Sequence, residues 1–166
     1  NSGDSFAEQK SGLGNVRLVR GGDFSADFDV VTVTPAVTGV QSRKVHGSAG
    51  TYGIAIDTTQ PIAGAVTVEP RAIGSGHLIA FTFDRAITSA GTATASGGGT
   101  ATTTFAGNEV IVRITNLADN KRSTITLQNV NGIAAPAPVS LGFLIGDADN
   151  SRSVTASDVS GLRIRS

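Results

Sequence analysis

The chain has 166 residues, with 13 Lys plus Arg against 13 Asp plus Glu, so its formal net charge is zero. That length suggests one domain of ordinary size with an appendage. A neutral chain whose only lysines are Lys10, Lys44 and Lys121 is a poor polyanion binder, and the absence of Cys excludes disulfides, thiolate nucleophiles, zinc–thiolate sites and iron–sulfur clusters.

Residues 1–10 are polar and have no period. Residues 15–20 predict a short strand with Val16, Leu18 and Arg20 on one face, stopped by Gly21 and Gly22. From residue 28 the pattern is β. Residues 28–34 alternate and are rich in β-branched side chains. Residues 37–46 and 51–56 follow, broken at Gly47 and ending at the Asp57–Pro61 turn. Residues 64–69 form the next candidate, closed by Pro70, and 77–83 the most apolar one, with Ile79, Phe81 and Phe83 on one face. Residues 91–96 and 100–105, joined by Gly97–Gly99, read as a hairpin of small residues. Residues 110–115, 123–128 and 136–144 complete the series, and no helical pattern precedes residue 155.

Roughly eight to ten short strands, spaced by turns every 8 to 12 residues, predict an all-β chain: an antiparallel, immunoglobulin-like β-sandwich. The expected division is an N-terminal segment at 1–27, a sandwich at 28–145 and a calcium loop with a short helix at 146–166. The first segment is too small to fold alone, and reads as a piece packed on the main domain, an assembly strand that pairs with another chain, or the tail of an upstream domain. Charged residues make up 16%, Gly and Thr abound, and oxidisable Cys, Met and Trp are absent. This composition suits an extracellular or cell-surface module. No basic amphipathic helix, membrane span or signal peptide is visible, so a secreted form would be mature or a fragment.

One motif carries chemistry. Residues 147–158 read as a twelve-position calcium loop with Asp147, Asp149, Ser151, the Ser153 carbonyl, Thr155 and Asp158 at positions 1, 3, 5, 7, 9 and 12. All six offer oxygen, as a hard cation requires, and Val154 at position 8 is the apolar residue expected to pack across the loop. Thr155 and Asp158 also form a capping box, as N-cap and N3 of a helix whose stripe is Val159, Leu162 and Ile164. Arg152 stands at position 6, where Gly usually makes the sharp turn; the neighbouring Asn150 tolerates a left-handed backbone but does not replace that Gly. With Ser at position 5, three carboxylates make a weak site. The alternative is a solvated Asp/Ser turn that caps a helix.

The stretch from Leu144 to Arg163 resembles the first repeat of a type I dockerin, with a Gly-Asp-x-Asp core and a following helix. Dockerins are bacterial secreted modules that bind Ca²⁺ through paired loops and dock onto cohesin domains. The resemblance therefore implies calcium ligation by Asp147, Asp149, Ser151, Ser153, Thr155 and Asp158. One repeat stands here where the family pairs two, which puts a full cohesin-docking surface in question. Ser42 to Tyr52, Val68 to Arg71 and Leu78 to Phe83 resemble a β-sandwich module found upstream of such repeats in bacterial surface proteins. Asn15 to Gly22 is similar to the closing strand of lectin-like domains related to formylglycine-generating enzymes.

Other candidates weigh less. His46 with Asp57 or Glu69 suggests a hydrolytic triad, but no nucleophile elbow accompanies it. A structural His46 packed with Glu69 or Arg71 is the preferred reading. His77 reads as a rim residue, and two histidines 31 positions apart give no zinc spacing. Gly97–Gly99 is a hairpin turn, not a phosphate loop. Tyr52 is a candidate sugar platform, and Glu69 with Asp84 a candidate carboxylate pair. The expectation is a non-enzyme that binds calcium and associates with copies of itself or a cohesin-like domain, with no nucleic acid and no membrane insertion. Its sharpest form is strand addition into a fibre, with residues 16–19 and 28–34 as the adding strands. The alternative is a carbohydrate-binding accessory module.

Overall fold

A computed structural model describes residues 33–134 and 137–163. The chain divides into two units, Asn1–Val31 and Thr32–Ser166, and every described element belongs to the second. The expected strand at 15–20, most of 28–34 and the expected limit at residue 27 lie outside the described residues.

Among the described residues, nine strands and one α-helix follow in order, with one 3₁₀ turn (Gly47–Ala49) between the first two strands: β1 (Val37–Val45), β2 (Thr51–Ala55), β3 (Val68–Glu69), β4 (His77–Phe83), β5 (Thr92–Ala95), β6 (Thr100–Ala106), β7 (Glu109–Thr115), β8 (Lys121–Gln128), β9 (Ala137–Phe143) and α1 (Ala156–Arg163). The described chain is mostly β, as composition and alternation predict. The strands form a five-stranded sheet, β2-β1-β4-β7-β6, and a four-stranded sheet, β3-β9-β8-β5. Every strand pairing is antiparallel except β3 with β9, which is parallel over Val68↔Gly142 and Glu69↔Phe143.

The two-residue period decides which side chains go inside. Ile79, Phe81 and Phe83 of β4 are buried, as are Val110, Val112 and Ile114 of β7. From the other sheet, Ile125, Leu127, Val139, Leu141 and Phe143 join them in one apolar cluster. With few aromatics available, β-branched side chains fill most of this core.

Two expectations about strands are corrected. The first is the hairpin at 91–105. β5 pairs with β8 and β6 with β7, so the two strands belong to different sheets. Gly97 (φ 79°) and Gly98 (φ 93°) make a turn that crosses from one sheet to the other. The Ser96 amide donates to the Thr124 carbonyl at 3.0 Å, and the Ser123 hydroxyl donates to the Ser96 carbonyl at 2.7 Å. The small Ala95 and Ala101 gain more by packing on the common core than by facing each other. The second is the strand at 64–69, which shrinks to Val68–Glu69. Its earlier part is irregular because the Gly64 amide turns back to the Pro61 carbonyl.

Candidate metal centre

Strand β9 leads directly into the acidic loop. The Leu144 and Gly146 amides donate to the carbonyls of Glu69 and Pro70 at 3.3 and 3.0 Å, and the Ile145 amide donates to Asp119 Oδ1 at 2.9 Å. These bonds fix the entrance of the loop on β3. At the exit, Thr155 and Asp158 form the expected cap of α1. The Thr155 amide donates to Asp158 Oδ2 at 2.7 Å, and the Ser157 amide donates to Thr155 Oγ1 at 3.3 Å.

Between these ends the chain wraps its acids inward. One carboxylate oxygen from each of Asp147, Asp149 and Asp158 lies within 4.8 Å of the others. Asp147 is 1% exposed and Asp158 2%, while Asp149 is exposed. Backbone amides hold the carboxylates in place. Asp147 accepts from Ser151 N and Arg152 N at 2.9 and 2.8 Å. Asp158 Oδ1 accepts from Ala148 N and Asp149 N at 2.8 and 3.3 Å. The amide of Thr155, then those of Ala148 and Asp149, keep the Asp158 carboxyl below the usual carboxylate range against the opposing effect of burial.

The other candidate ligands stand beside the acids. Ser151 donates from its amide to Asp149 Oδ1 at 3.0 Å and from its hydroxyl to the Ser153 carbonyl at 3.0 Å. The Thr155 hydroxyl lies 3.4 Å from Asp158 Oδ2. Asn150 and Arg152 both take a left-handed backbone, at φ 63° and 68°. Arg152 thus makes the turn that Gly usually makes, and the amides around it make this conformation bearable. Val154 lies against Gly146 but stays 55% exposed, and Val159 on the helix is 54% exposed.

The donor set fits a hard divalent cation. All candidate ligand atoms are oxygens, and two of the three acids are buried. Among the described residues, no Lys or Arg side chain pairs with any of the three. Converging like charges repel, and an uncompensated buried carboxylate is costly, so this geometry favours a cation.

A second buried acid behaves differently. Glu69, on β3, is 2% exposed. It accepts from Arg71 Nε at 2.7 Å, from the other arm of that guanidinium at 2.6 Å, and from the Ser42 hydroxyl. Burial pushes its carboxyl upward, but the bonds from Arg71 and Ser42 outweigh this and hold it below the usual range. Arg71 also donates to the carbonyls of Ser42 and Tyr52 at 2.9 and 3.0 Å, which ties β3 to both β1 and β2.

The histidines exchange their expected places. His46 is exposed and meets Tyr52 edge-on at 5.4 Å, rather than packing on Glu69 or Arg71. His77, expected at the rim, is 6% exposed and lies against Phe143 at 4.6 Å. Its position at the start of an apolar strand puts the ring under the neighbouring sheet, and burial lowers its pKa from 6.5. No described hydrogen bond joins His46 to Asp57 or Glu69; Asp57 instead binds Thr59 and Gln60. Glu69 and Asp84 are not brought together. Asp84 lies past the far end of β4, paired with Arg85.

Two features give no sequence signal. Asn150 Oδ1 accepts the amide of Val68 at 2.6 Å, across 82 residues, so the loop caps edge strand β3. Arg152 lines a cleft of about 280 Å³ with Lys121, Arg122, Val66 and Val68. Comparison with known proteins adds no relative: no family model, curated protein or solved structure matches the chain.

Proposed function

We propose that this chain is a non-catalytic, extracellular structural or assembly module. In this reading its two sheets are an immunoglobulin-like sandwich, and residues 147–158 are the loop of a half EF-hand. The module binds Ca²⁺ and mediates association between proteins, with copies of itself or a cohesin-like domain as partner. The observation that carries this reading is the convergence of Asp147, Asp149 and Asp158 within 4.8 Å, two of them buried and none paired with a described cation.

Asp147, Asp149, Ser151, the Ser153 carbonyl, Thr155 and Asp158 would hold the ion. Bound there, Ca²⁺ supplies positive charge that neutralises the buried acids. The rest follows from the chain. A loop that binds the ion only when folded gains stability from it, by about 2.7 kcal/mol at a hundred times Kd. That gain passes to β3 through Asn150 and Val68. Calorimetric titration with CaCl₂, with melting in Ca²⁺ and in EDTA, tests the reading. One site and a melting temperature several degrees higher in Ca²⁺ are expected. Equal melting in both buffers and no binding heat would refute it.

The second reading, a carbohydrate-binding accessory module, draws on Tyr52, which is 55% exposed with His46 beside it. Glycan binding that is lost on Tyr52→Ala would favour it.

A further inference from the structure

Among the described residues four strands lie at sheet edges, and three of them have a contact beyond their own ladder. On β3 the Val68 amide is taken by Asn150. β5 and β6 lie against each other, and the Thr103 hydroxyl of β6 donates to the Gly91 carbonyl beside β5 at 3.0 Å. Strand β2, at the end of the five-stranded sheet, has no such cover among the described residues.

The ladder shows which groups β2 leaves open. The Ile56 amide donates to the Val40 carbonyl at 2.9 Å, and the His46 amide to the Gly50 carbonyl at 2.8 Å. In an antiparallel pair the inward residues alternate, so Tyr52 and Ile54 bond to β1. The N–H and C=O groups of Thr51, Gly53 and Ala55 therefore point outward, and all three residues are exposed. The strand has no charge, no proline and no bulge across its five register pairs. These are the devices that normally protect a sheet edge.

We infer that this edge pairs with the same edge of a second copy, antiparallel about Gly53. The inference rests on the association reading above and names its surface. In that register Thr51 faces Ala55 of the second copy and Gly53 faces Gly53, all with outward groups. Tyr52 faces Ile54 of the second copy, and this exposed aromatic gains an aliphatic partner on each side of the axis. Charge allows the match. β2 is neutral, Arg43 on β1 is held by Glu109 at 2.6 and 2.7 Å, and Lys44 is held by the Ala72 carbonyl. Two five-stranded sheets would then continue as one. A two-fold pairing closes at the dimer, so growth into a fibre needs a second contact. Five residues a side cover much less than the roughly 800 Å² per partner of a standard interface, which implies a weak, concentration-dependent contact.

The absence of cysteine makes the test direct. In the double variant Thr51→Cys with Ala55→Cys, each thiol faces the other kind across the axis at a Cα separation of about 5.5 Å, within disulfide reach. Within one chain the two are about 13 Å apart and cannot join. Mild oxidation should convert most of the double variant to covalent dimer, and neither single variant. Ala55→Pro removes an outward donor and leaves the β1 ladder intact; it should abolish the concentration-dependent rise in mass seen by sedimentation, with the melting temperature unchanged. Equal crosslinking of single and double variants, or association that survives Ala55→Pro, would overturn the edge assignment alone. A wild-type chain that stays monomeric to millimolar concentration in both Ca²⁺ and EDTA would overturn self-association altogether and leave a cohesin-like domain as the partner of the association reading.

Discussion

Among the described residues, carboxylates are buried in two places and treated in opposite ways. At Glu69 the acid is 2% exposed and fully partnered within the chain, by a two-armed Arg71 and the Ser42 hydroxyl. At the loop, Asp147 and Asp158 are as buried, but backbone amides are their main partners. Amides satisfy hydrogen bonds without cancelling charge. The first site is therefore complete and holds the sheets together; the second has an electrostatic need that the described chain does not meet. Burial alone separates structural from functional acids poorly, and the sign of the nearest charge separates them well.

The largest expected effect comes from unbalancing the balanced site. Arg71→Met leaves Glu69 buried beside no guanidinium and should cost about 3 kcal/mol, the low end for a broken buried pair, since Arg71 reaches the rim. Urea unfolding should show the same loss in Ca²⁺ and in EDTA. At the loop, Asp147→Asn combined with Asp158→Asn removes the charge, and in each side chain it replaces one accepting oxygen with an NH₂ that meets a backbone N–H. It should abolish the whole Ca²⁺-dependent rise in melting temperature and also lower the melting temperature in EDTA.

Acid should sharpen the contrast. The folded pKa of His77 lies below 6.5 and that of Glu69 below 4.5. In each case the unfolded chain takes up the proton first. Stability in EDTA is thus full above pH 6.5, falls as pH drops through the His77 window, and falls again below 4.5, by at most about 1.4 kcal/mol per pH unit for each group. His77→Phe should erase the first decline and keep the second, as read by chemical unfolding at a series of pH values. The smallest effect belongs to Arg152→Gly. It relieves a left-handed backbone at φ 68° but loosens the unfolded chain, for a net gain of about 0.5 kcal/mol. The calcium affinity should rise modestly in the same titration.

Much of the fold is legible in the sequence because it is local. The alternation at 77–83 gives β4 with its buried face, and Thr155 with Asp158 gives the start of α1. The convergence of Asp147, Asp149 and Asp158 is legible for the same reason, since a single turn of loop and one helix cap bring the three acids together. What stays hidden depends on distant partners. Nothing local at 91–105 says that β5 and β6 belong to different sheets, because alanine and threonine fit either arrangement. Nothing near Asn150 names Val68. The exchange of roles between His46 and His77 has the same origin: only the packing of Phe143 over β4 decides which ring is inside.

The crossing at Gly97–Gly99 has a consequence for how the chain reaches this state. Strands β4, β5 and β3 pair with β7, β8 and β9, none of them the next strand in sequence. A chain emerging from synthesis therefore holds β3 and β5 with no ladder partner until β9 and β8 appear, while β4 has only β1 beside it. Such non-local pairing predicts slow, all-or-none folding, on the millisecond-to-second scale of high-contact-order β proteins. It also means that a ribosome-bound chain ending before β7 leaves the most apolar strand, β4, lacking the β7 neighbour that it has in the finished sheet.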